Sequence, residues 1–105
     1  MLQGFISANP RDPFPRYGLA LEYKNQGRLD EAVQAFDELM TSFPDYTPAY
    51  FHAGTVQAER GDKSRAAEIF RLGAEVCTRR GDAHAKGEIL AALASLDGDG
   101  EGGEG

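Results

Sequence analysis

Apolar positions recur along the chain at helical spacing. Between residues 29 and 43 they fall at Leu29, Ala32, Val33, Phe36, Leu39, Met40 and Phe43, the i, i+3, i+4, i+7 pattern of a helix with one buried face. A later segment carries the same stripe in smaller side chains, at Ala66, Ala67, Phe70, Gly73, Ala74 and Cys77. Start signals agree with this reading. Asp12-Pro13 and Thr47-Pro48 each set a capping side chain before a first-turn proline, and Asp82 follows Gly81. Helices are therefore expected at about 13–26, 29–43, 47–60, 63–79 and 82–96.

Displacing residues 13–46 by 34 onto 47–80 gives three identities: Gly27 with Gly61, Ala32 with Ala66, and Phe36 with Phe70. Each has a structural job. The glycine ends one helix where a left-handed backbone is needed, the alanine lets two helices approach, and the phenylalanine fills the space between them.

On these residues the chain resembles the tetratricopeptide repeat family, whose unit is a pair of antiparallel helices of 34 residues. In residues 13–46 the motif positions hold Leu19, Ala20, Tyr23, Gly27, Ala32, Phe36, Leu39 and Pro44; in residues 47–80 they hold Tyr50, Ala53, Gly54, Gly61, Ala66 and Phe70. Four positions depart from the pattern. Arg16 replaces the usual first-helix aromatic, Gln57 a tyrosine, Gly73 an alanine-like residue, and Thr78 the closing proline, which is expected to weaken the lower end of the second unit. The resemblance implies an all-α fold, a right-handed superhelical stack of antiparallel helix pairs with about five helices and a short N-terminal helical turn.

Within that frame residues 1–12 are expected to form an N-terminal cap, the end of a partial repeat, and 81–96 a C-terminal capping helix. Leu90, Leu93 and Leu96 would dock on a stripe of Ile69, Leu72 and Val76 that the first unit lacks. The last nine residues, 97–105, contain five glycines and four acids, which suits a flexible acidic tail.

Composition narrows the function. The 105 residues hold 17 acids and 11 bases, net charge −6, and the four acids of the tail leave 13 against 11 in the body. Mixed charges of that kind give no basic footprint for nucleic acid and no polybasic patch for a membrane. No apolar run is long enough to span a bilayer, and no secretory signal is visible, so the expected location is cytoplasmic. The single cysteine, Cys77, closes no intrachain disulfide, and one thiol with two histidines is too little for a zinc site; no metal or cofactor is expected. Asp97, Asp99 and Glu101 mimic the opening of a calcium loop whose closing glutamate would fall past Gly105.

Helical phase then separates the residues the fold uses from those it leaves over. In the first helix Arg16, Leu19, Ala20 and Tyr23 face the paired helix, while Phe14, Tyr17, Leu21 and Lys24 point elsewhere. With Phe51 and Thr55 from the second unit they would line the concave groove that the resemblance implies, suited to an apolar peptide or helix of a protein partner. Members of the family that grip a chaperone's C-terminal carboxylate resemble one another in a lysine and an asparagine at this place. Tyr17 and Leu21 stand there instead, and neither pairs with a carboxylate as a cation does. An enzyme built on Cys77, Asp82 and His84 is disfavoured because Cys77 lies on the buried stripe. The expectation is a non-enzymatic interaction module. The alternatives are a self-associating homodimer, since two units fall short of the three that usually make a stable stack, or a fragment of a longer array.

Overall fold

The computed structural model describes residues 11–102. Five helices follow one another: α1 Pro13–Asn25, α2 Leu29–Ser42, α3 Pro48–Glu59, α4 Lys63–Arg80 and α5 Ala83–Gly102. Each packs antiparallel on the next, and α3 also touches α1 and α5, so α1, α3 and α5 form one layer and α2 and α4 the other. The apolar pattern predicts the helices, and their stacking is the all-α helical-repeat architecture that the family resemblance implies. The cap assigned to residues 1–12 lies outside the described residues except for its last two, and so do residues 103–105 of the tail.

Local chemistry accounts for the helix ends. The Asp12 carboxylate accepts from the Phe14 amide at 3.0 Å, and Pro13 occupies the first turn of α1. Asp62 accepts from Arg65 N at 3.0 Å and so caps α4. Helices α1, α3 and α4 finish alike, on Gly27, Gly61 and Gly81 at φ 76°, 92° and 73°. At each the following amide reaches back five residues, from Arg28 to Tyr23 O, Asp62 to Gln57 O and Asp82 to Cys77 O, at 2.9 Å. A left-handed glycine with that bond satisfies carbonyls the helix would otherwise leave open.

Helix α2 ends differently, because Pro44 cannot continue it. The position 34 residues on is Thr78, and there α4 keeps going to Arg80, so it runs to 18 residues against 14 for α2. The connection shortens in step. Residues 43–47 join α2 to α3, whereas only Gly81 and Asp82 join α4 to α5. A longer helix and a tighter turn thus leave the start of α5 only 35 residues after the start of α3, close to the repeat length.

The core lies between the layers. Ala32, Phe36 and Leu39 of α2, Tyr50, Ala53 and Val56 of α3, Ile69, Phe70 and Cys77 of α4 and Ile89 of α5 are all buried. The departures from the repeat pattern do not loosen its lower end: Gly73, Ala74, Val76 and Cys77 are buried in α4. Gln57 is 5% exposed, and its amide oxygen accepts from Arg60, which also binds Asp30 at 2.9 Å. Buried polar groups satisfied in this way carry little penalty.

Two expectations about α5 need correction. Of the stripe Leu90, Leu93 and Leu96, Leu96 is buried and Leu93 half-buried, but Leu90 is 43% exposed, as is Leu72 of the opposing stripe at 46%, and Ile89 is fully buried against Gly73 instead. The turn at Gly81–Asp82 fixes the rotation of α5, and three-residue spacing among leucines cannot reveal that rotation. The helix also continues to Gly102, past Asp97, where composition suggests a tail. Extending a nucleated helix by one residue is far less costly than nucleating it, so a change of composition need not stop it.

Candidate functional site

The layer of α1, α3 and α5 exposes one long face, and the predicted groove residues are distributed along it. Tyr17 is half-buried rather than open. Its ring meets Tyr46 edge-on at 5.5 Å between centroids and lies 5.8 Å from His52, so it joins α1 to the next helix pair. Leu21 and Lys24 are half-buried on the same helix, and Phe14 projects from its first turn, 65% exposed. Phe51 and Thr55 are half-buried on α3, the Thr55 hydroxyl donating to Phe51 O at 2.8 Å.

Phe51 and Thr55 come together with α5. They line a trough of about 500 Å³ whose other walls are Ala58 on α3, Glu88, Ala91, Ala92, Ser95 and Leu96 on α5, and the Phe70 ring. None of the α1 residues lines it. Nearly all of its lining is apolar, with Glu88 as the acidic edge, 3.5 Å from His84. Sequence reasoning treated α5 as a cap and missed its share of this surface. The available signal was Glu88, Ala92 and Ser95, at the same one-turn spacing as Phe51, Thr55 and Ala58.

His52 is the larger omission. Helical phase puts it on the far side of α3 from Gln57 and suggests a surface residue, but neighbouring helices close over it. Its ring stacks on Phe36 at 6.5 Å and 12°, meets Phe51 at 5.2 Å and 87°, and approaches Tyr17. Its Nδ1 is enclosed without a hydrogen-bond partner among the described residues. Desolvation holds the imidazole below its ordinary pKa of 6.5; Lys24 adds to that effect and Glu88 opposes it. Burial likewise pushes the Tyr17 hydroxyl up.

The residues of the enzyme alternative have separate engagements. Cys77 is buried, and burial raises its thiol above the ordinary value. Asp82 accepts from Ala85 N at 3.1 Å and from the Thr47 hydroxyl at 2.9 Å. Thr47 does not cap its own helix as its place before Pro48 suggests; it serves the cap of α5 instead.

The geometry agrees with what is similar to this chain. A family model described as tetratricopeptide repeat matches residues 16–46. The solution structure of a tetratricopeptide repeat domain protein from Salinibacter ruber superposes with a TM-score of 0.79 at 30% identity, covering 85% of this chain and 90% of that one. A crystal structure of a tetratricopeptide repeat domain protein from the same organism gives 0.78 at 30% identity, over 84% and 98%. A protein of Bordetella parapertussis shares the fold, with a TM-score of 0.81 at 20% identity over 93% of this chain and 85% of that one. No curated protein matches the sequence.

Proposed function

The chain belongs to the tetratricopeptide repeat family, a family of protein-interaction scaffolds, and from that premise we propose that it is a non-enzymatic module that receives an apolar peptide or helix on its inner face. The observation that carries this reading is the trough between α3 and α5, apolar and lined by Phe51, Ala58, Ala92 and Leu96. An apolar recess edged by a single carboxylate suits side chains of a partner that leave water on docking. Its volume, about 500 Å³, suits a few large side chains rather than a whole domain. Tyr17 and Leu21 extend the face toward α1, but Tyr17 is partly used in packing, so binding is expected to centre on Phe51 and α5.

Ala91 is exposed at the trough and Phe51 half-buried in its wall, which makes them suitable probes. Affinity capture from cell extract with wild-type protein, Phe51→Glu and Ala91→Glu, each folded by circular dichroism, tests the reading. Proteins held by wild type and lost from both variants support it. The same retained set on all three excludes this face.

A further inference from the structure

Helix α4 presents one large apolar side chain to solvent, Leu72, 46% exposed. It stands at the edge of a cleft of about 470 Å³ between α2 and α4 whose walls include Met40, Ile69 and Val76. Two ion pairs reach from α4 toward α2 and the residues after it, Arg65 to Asp37 at 3.9 Å and Arg79 to Asp45 at 3.4 Å.

Along this face of α4 the order is Arg65, Glu68, Leu72, Glu75, Arg79, with steps of three and four residues that hold all five on one stripe. The order reads the same from either end. A second copy of the helix laid antiparallel and displaced by one turn sets Arg65 of each copy beside Glu75 of the other. In that register Leu72 of each stands opposite Glu68 of the other, one residue from Ile69 in the wall of its cleft. Every contact from one copy is returned by the other, which is what a closed two-fold interface requires. The charges also distinguish two carboxylates. Glu68 is already held by Arg65 at 3.2 Å, whereas Glu75 is exposed and has no ion-pair partner among the described residues.

We infer that the chain forms a two-fold homodimer through the outer face of α4, with Leu72 seated in the facing cleft and Arg65 paired with Glu75 across the interface. The face formed by α1, α3 and α5 stays free. A dimer would therefore carry two copies of the trough, and a partner with two docking segments would gain by effective concentration.

Sedimentation equilibrium of the full chain tests this directly. The wild-type mass should rise from that of one 11.4 kDa chain toward that of two as concentration increases through the micromolar range. Leu72→Gln, Glu75→Arg and Arg65→Glu should each weaken association by about tenfold or more. An equimolar mixture of the Glu75→Arg and Arg65→Glu chains should recover the dimer, because opposite charges then meet at both contacts; loss of folding could not produce that recovery. A wild-type chain that stays single at all concentrations overturns the inference. So does a dimer indifferent to Leu72→Gln, a mixture that fails to recover, or a dimer lost only with Phe51→Glu, which would place the interface on the inner face.

Discussion

Gly73 of α4 lies so close to Tyr50 of α3 that a Cβ at residue 73 would stand 2.5 Å from the Tyr50 Cβ and 3.0 Å from its Cγ. Tyr50 cannot easily yield, because it is 2% exposed and its hydroxyl donates to Pro44 O at 2.6 Å. Ile89 closes the other side, 3.1 Å from the same point. Gly73→Ala therefore sets two effects against each other. Helix propensity favours alanine by about 1 kcal/mol, while forcing a methyl group into a packed site costs about 1–3 kcal/mol. Overlap at this depth decides the sign, and the variant is expected to be less stable in urea unfolding. A higher midpoint for Gly73→Ala would show that Tyr50 moves aside.

Thr47 and Asp82 tie the start of α3 to the start of α5 through one hydrogen bond. Thr47→Val removes the donor from a buried site and should cost about 1 kcal/mol. Asp82→Ala removes both that bond and the cap on Ala85, so its thermal midpoint should fall further. The double variant should lose less than the sum of the two, since they share the bond. The Ala85 amide and the Thr47 hydroxyl hold the Asp82 carboxyl below its ordinary 3.8. Its contribution is present above that pH and fades as pH falls below it. Additive losses in the double variant would mean that the Thr47 contact carries no energy.

His52 predicts a second pH dependence in a different window. Its pKa is depressed in the folded chain, so below the ordinary 6.5 the unfolded chain binds more protons than the folded one. Stability should be level above that pH and decline as pH falls through the lowered value. Tyr17 and Lys24 of α1 and Glu88 of α5 are the titratable or charged neighbours, and only Glu88 favours the charged ring. Thermal midpoints of wild type and His52→Phe, compared from about pH 7.5 to about pH 5, isolate the effect. The decline should shrink in His52→Phe and persist in His84→Gln, which removes an exposed histidine and its contact with Glu88 but leaves the His52 ring in place. An unchanged decline in His52→Phe would rule out the half-buried imidazole as its source.

The features readable in advance are those that local chemistry determines. The stripe of Ala32, Phe36 and Leu39 is buried as its period requires, and Gly27 and Gly61 take the left-handed conformation that their place after a helix implies. Asp12 caps as read. What escaped depends on which helix lies across from a residue. Periodicity orients His52 within α3, but only Phe36 and Tyr17 from other helices bury it. It likewise offered Leu90, Leu93 and Leu96 as the docking stripe of α5; Leu96 is buried and Leu93 half-buried, but Leu90 is exposed and, by the rotation set at Gly81 and Asp82, Ile89 is buried in its stead. Of the groove residues, Phe51 and Thr55 line the trough, while its α5 wall depended on that same rotation.

Thr78 tests why α4 outlasts α2. Pro44 ends the earlier helix at the corresponding place, and the family pattern expects proline there, so Thr78→Pro has the form of a repair. In this chain residue 78 lies inside α4, which ends only at Arg80. A proline ring would meet the carbonyl of Ala74, the group to which the Thr78 hydroxyl donates at 3.0 Å, and would remove a helical amide. The cost is expected to be about 3 kcal/mol or more. The damage should spread, because the last turn of α4 positions Gly81 and Asp82, and Asp82 caps α5. Circular dichroism should show lost helix beyond the last turn of α4, with a lower urea midpoint. A variant that keeps wild-type helicity and stability would mean that the final turn of α4 has no part in docking α5.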